Sequence, residues 1–85
     1  MSYDYATERP NIFTEHGQVM FLSIRDNAKR LLAEAGAARS AEMMRGCAGN
    51  VWTMLACIDR LVELGEIREL TPLGAAGQDR VFVAA

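Results

Sequence analysis

Two cysteines and a single histidine in 85 residues leave this chain short of the donors that metal centres and disulfide scaffolds require. A structural zinc site usually takes four ligands in paired spacing, and Cys47, Cys57 and His16 stand apart from one another. The two cysteines fall on or beside one predicted helix and point in different directions, so no bridge between them is expected. His16 sits at a helix start as a solvated side chain. No Ser-His-Asp order, phosphate-binding loop or dinucleotide fingerprint is present. Gly74 and Gly77 lack a neighbouring lysine and a following helix, which makes them turn residues. Asp59, Glu63 and Glu66 are close in sequence but have no apolar surroundings to raise a pKa. Neither an enzyme nor a cofactor or metal is expected.

Long apolar runs are missing as well. Stretches such as Val19-Met20-Phe21-Leu22 fall far short of the roughly 20 residues that span a membrane. Met1 to Pro10 is polar and mixed in charge, without an apolar stretch behind a basic start, so a signal peptide is not expected either. These absences point to a reduced, cytoplasmic protein. There is no excess of positive charge: nine Lys and Arg against eleven Asp and Glu give a net charge of −2. Coating nucleic acid by charge alone is therefore excluded.

What is present is apolar material, 51% of the residues, enough for one core in one domain. Low net charge with that content also argues against disorder. Residues 1–13 form an N-terminal arm, either packed through Ile12 and Phe13 on the first helix or pairing with a second copy or a partner. Residues 14–85 form the domain. Thr14 is placed to cap a helix, with Glu15 against its positive end. Phe21, Ile24, Ala28, Leu31, Leu32 and Ala35 then recur at spacings of three and four, which predicts a helix over about 15–35 that stops at Gly36.

Ser40 is the next candidate cap, opening a short helix over about 41–46. Gly46 and Gly49 break the pattern with Cys47 and Ala48 between them. Asn50 caps a third helix over about 51–64, whose stripe runs through Val51, Met54, Leu55, Ile58, Leu61 and Val62. Beyond Gly65 the period becomes two, in Glu66 to Leu70 and again in Asp79 to Val83, with Pro and Gly between them. That is a hairpin over about 66–84. The fold class expected is mainly α with a C-terminal β-hairpin.

This order resembles the winged helix-turn-helix family, three helices plus a wing. Glu42-Met43-Met44 match its second helix, Cys47 and Ala48 its tight turn, and Asn50 its small capping residue. Met54 and Ile58 match buried positions of the third helix. Leu61-Val62-Glu63-Leu64-Gly65-Glu66-Ile67 matches the Leu-x-x-x-Gly-x-Ile exit into the wing. The resemblance covers about residues 36–84.

The resemblance implies that the third helix enters the major groove of double-stranded DNA while basic residues hold phosphates. Reading positions would be Asn50, Trp52, Thr53, Ala56 and Arg60. Phosphate contacts would come from Arg39 and Arg45 near the second helix and from Arg68 and Arg80 on the wing, with Gly74 to Gly77 at its tip. The function implied is a small transcriptional regulator or accessory factor without a sensor domain, with a homodimer among the states that the resemblance allows. Two features depart from the pattern. Trp52 and Ala56 offer no donor pair to a base edge, and no arginine, the commonest reader of guanine, precedes Arg60 on the helix. A tryptophan among small neighbours also suits protein contact, so a protein-interaction module, an inhibitor or adaptor, is the alternative. The charge around Trp52 discriminates: converging Arg39, Arg45, Arg68 and Arg80 favour DNA, dominant Asp59, Glu63 and Glu66 favour protein.

Overall fold

Asp4 opens the first helical turn of the chain by accepting from the Thr7 amide at 3.0 Å and from the Thr7 hydroxyl at 2.6 Å, a side-chain cap on amides that would otherwise lack partners. The short helix α1, Tyr5–Glu8, follows and runs into a 3-10 helix, Arg9–Phe13, with Pro10 near its start where a missing amide costs nothing. The computed structural model describes residues 2–71 and 77–85. Residues 5–13 are helical and docked through Ile12, which is 1% exposed and buried in the core, in line with the packed one of the two readings of the arm, while Phe13 stays half-exposed.

Thr14 caps the long helix α2, Glu15–Ala35, by accepting from the Gly17 amide at 3.0 Å. Gly17 lies so close to the 3-10 helix that a Cβ there would sit 2.1 Å from the Asn11 carbonyl oxygen. Met20, Phe21, Ile24 and Ala28 form the buried stripe of α2. Gly36 ends it in the left-handed conformation at φ 80°, a backbone that side chains resist.

Strand β1, Ala37–Arg39, was not legible in the sequence. It is three residues long and two of them are alanine, a weak strand former. Helix α3, Ser40–Met43, is shorter than expected, and Ser40 is not its cap. That residue is fully buried, and its amide and hydroxyl both donate to the Arg80 carbonyl, at 2.9 and 3.3 Å. The Arg39 amide instead donates to the Glu42 carboxylate at 3.0 Å. From α2, the Asn27 amide group donates to the carbonyls of Met43 and Arg45 at 2.9 and 3.1 Å, satisfying the end of α3.

Asn50 caps α4, Val51–Glu63, as its pattern predicts, accepting from the Trp52 amide at 2.8 Å. A helix packed against one layer buries one stripe. Helix α4 buries Thr53, Leu55 and Ala56 as well as Met54, Cys57, Ile58 and Leu61, because α2 packs on one side and residues 5–13 on another. Strands β2, Ile67–Glu69, and β3, Val81–Ala84, are antiparallel. They do not form a hairpin alone, since β1 pairs along the other edge of β3 to give a three-stranded antiparallel sheet in the order β1-β3-β2. The wing tip expected at Gly74 to Gly77 lies outside the described residues except for Gly77, which starts a 3-10 turn, Gly77–Asp79. The described fold is thus mainly helical with a small antiparallel sheet. Among the described residues no helix is long and apolar enough to cross a membrane.

Candidate functional site

Asp59 and Glu63 stand one turn apart on α4, so their carboxylates project on the same side of the helix. Both are held by residues of the N-terminal segment. The Tyr3 hydroxyl donates to Asp59 at 2.6 Å and the Tyr5 hydroxyl to Glu63 at 3.2 Å. Arg9 donates to Glu63 through Nε and Nη2, at 3.2 and 3.0 Å, the two-pronged geometry that suits guanidinium and carboxylate. Hydrogen bonds from Arg9, then from Arg60, hold the Glu63 carboxyl down to about 2. Burial, followed by the Asp59 hydrogen bond, pushes the Tyr3 hydroxyl well above its ordinary value.

Phe13 closes the lower edge of this patch. Its ring lies 5.1 Å from the Arg9 guanidinium and 5.4 Å from that of Arg60, within cation–π range. On the far side of Asp59 stands Arg80, which donates to Asp59 at 2.6 Å and to Glu69 at 2.7 Å. The three side chains are 14%, 16% and 26% exposed. Hydrogen bonds from Arg80 hold Glu69 below the usual carboxylate range, and the same bonds, accepted by Glu69 and then by Asp59, keep Arg80 charged beyond its ordinary value.

Beyond this network, toward the start of α4, the surface opens. Tyr3, Val51, Trp52 and Leu55 line an open notch of about 380 Å³, together with Gly77, Gln78 and Asp79 among the described residues. Trp52 is half-buried and Val51 is exposed. One acidic side chain, Asp79, sits on the rim.

The residues singled out from sequence do not form one surface. Ala56 has no exposed area and Thr53 only 8%, so neither reaches a base edge; the docked N-terminal segment and the core take the space around them. The Asn50 side-chain oxygen is engaged as the α4 cap. Arg60 is paired with Glu63, and Arg80 with Asp59 and Glu69. Strand alternation and register place Arg39 and Arg68 on the face of the sheet opposite Phe82, beside Val81 and Val83. Arg39 is 62% exposed and 3.8 Å from Glu42. Arg45 is exposed in the turn after α3. Of the nine, only Trp52 lines the notch.

Sequence reasoning missed Tyr3, Tyr5 and Arg9, because partners more than 50 residues away leave no local pattern. The one available signal was the Asp59–Glu63 pair on a helix expected to face phosphates. Burial pushes the Cys57 thiol up to about 12 and raises Cys47 as well, so both stay protonated at neutral pH. Comparison with family models, curated proteins and solved structures gives no match.

Proposed function

We propose that this chain is a winged-helix protein-interaction module that takes an apolar side chain of its partner into the notch beside Trp52. The order of a long helix, a short helix, a tight turn, another long helix and a returning pair of strands supports the winged-helix reading. One observation carries the choice of partner. The second half of α4, which carries the reading position Arg60, is occupied by the chain's own Tyr3, Tyr5, Arg9 and Phe13, gathered around two carboxylates. Acidic residues repel phosphates, and the arginines nearest to them are already paired. The open end of the helix offers Trp52 beside Tyr3 instead, two residue types enriched at interface hot spots.

Panning a random-peptide library against the whole chain, with a Trp52→Ala variant as counter-selection, tests this reading. Peptides with an aromatic or aliphatic anchor should emerge and lose about 30-fold in affinity, roughly 2 kcal/mol, on the variant. Peptides that bind the variant equally well would overturn the assignment to the notch.

A second reading, a DNA-binding regulator, is favoured by Arg45 and Arg68, which are exposed and have no ion-pair partner among the described residues. It requires the N-terminal segment to leave α4 or the duplex to be met elsewhere. Anisotropy of a labelled random-sequence duplex decides it. Salt-sensitive binding that weakens in Arg45→Ala, with the salt slope reduced by about one, would support DNA.

A further inference from the structure

A second cavity, of about 290 Å³, lies away from the notch, between the second half of α2 and the edge of the sheet. Its floor is the buried side chains of Ala28, Leu61 and Ile67. Leu32 and Ala33 form the α2 wall and Ala84 the opposite one. Arg25 and Lys29, one helical turn apart, also line it, and so does Glu66. The size is at the lower end for small-molecule sites, and an apolar floor with a few charged groups is their usual character.

The charged groups are incompletely satisfied. The Arg25 side chain is 36% exposed, but its Nε is buried without a hydrogen-bond partner, and the nearest carboxylate oxygen, on Asp26, is 4.0 Å away. Neither Arg25 nor Lys29 forms an ion pair with Glu66 among the described residues, and Lys29 pairs with no acid there at all. A buried donor left without an acceptor costs stability. An acceptor arriving from solution would remove that cost.

We infer that this cavity binds a small monoanionic amphiphile, a carboxylate with a short apolar tail. The tail occupies the space over Ala28, Leu61 and Ile67, and the head accepts from Arg25 and Lys29. Charge sets the valence. Two cations and one carboxylate line the cavity, with Asp26 outside the lining and 4.0 Å from Arg25. One negative charge is therefore the most that the lining can balance; a dianionic phosphate would add a repelled charge beside Glu66. The tail confers selection against simple inorganic anions, which gain nothing from the apolar floor. Such a site places ligand sensing inside the domain, on a surface that neither the notch nor the N-terminal segment uses.

The probe is octanoate, titrated into the full chain while amide chemical shifts are followed, with 1-octanol in parallel. Saturable shifts centred on Ala28, Leu32, Ile67 and Ala84, with a Kd of about 1 mM or tighter, are expected. Octanol should bind about tenfold more weakly, because it leaves the Arg25 donor without a charged acceptor. Arg25→Gln should bring octanoate down to the octanol level, and Ala33→Leu, at an exposed position on the wall, should block both. Equal binding of octanoate and octanol would overturn the role of the cations. No saturable shift, or shifts centred on Trp52 instead, would overturn the site. The octanoate and octanol comparison uses the unaltered protein, so it decides the point even if Arg25→Gln does not fold.

Discussion

Tyr3 and Asp59 are 56 positions apart in the chain and share a hydroxyl-to-carboxylate hydrogen bond of 2.6 Å. This contact, with those of Tyr5 and Arg9, turns the N-terminal residues into a cover for α4. Tyr3→Phe keeps the ring and removes the donor, and should cost about 1 kcal/mol. It should also alter the alkaline behaviour. The folded chain keeps the Tyr3 proton at pH values where the unfolded chain, near the ordinary 10.0, releases it. Stability from this group is complete below pH 10 and declines as pH rises beyond it. Urea midpoints measured between about pH 9 and 11 should fall steeply in the parent and less in Tyr3→Phe.

Arg80 is the pivot between sheet and helix, shared by Asp59 and Glu69 in a mostly buried setting. Arg80→Gln leaves two carboxylates facing each other without a counter-ion, and a loss of about 3 kcal/mol is expected. Adding Asp59→Asn should recover part of it, since the repulsion goes with the charge. Both are read as shifts in urea midpoint at constant slope. An additive pair would show that the two residues do not interact.

Acid should loosen the N-terminal segment first. Glu63 is held down to about 2, against an ordinary 4.5, chiefly by Arg9. A lowered carboxylate contributes stability that is fully present above 4.5 and fades as pH falls toward 2. Protection factors of the amides in residues 5–13 should therefore fall below about pH 4 while those of α2 and α4 hold. Simultaneous exchange of all three would mean that the segment and the body unfold as one unit.

Gly17 is the seam between the segment and α2. A methyl group there would overlap the backbone carbonyls of Asn11 and Ile12, which have no flexible side chain to yield. Gly17→Ala should cost about 2 kcal/mol, despite alanine's better helix propensity. The expected observation is a lower thermal midpoint with unchanged helix content before the transition.

How much of this was legible depended on range. Thr14, Gly36 and Asn50 act through neighbours a few residues away, and the boundaries of α2 and α4 follow from them. The three-four spacing also marked the core stripe of α2. Ser40 failed as a cap because its hydroxyl turns to Arg80, forty residues on. Strand β1 is strand only because β3 lies beside it. The same reason hid the setting of Asp59 and Glu63. A carboxylate pair on a helix says that something must neutralise it, but not that Tyr3, Tyr5 and Arg9 do so. Ala56 and Thr53 looked like outward positions under a one-sided view of α4, and the second covering layer removed them from the surface.

Finally, the burial of Ile12 sets an order of events in synthesis. Ile12 is made well before α4, the helix that completes its pocket, and protein is produced from the N-terminal end at about 5–20 residues per second. For several seconds at that pace the nascent chain carries an unsheltered isoleucine and an unpaired Arg9. Docking of residues 5–13 is therefore a late step, taken only when the last turns of α4 have formed, and any competitor for that face meets it bare before the chain closes over it.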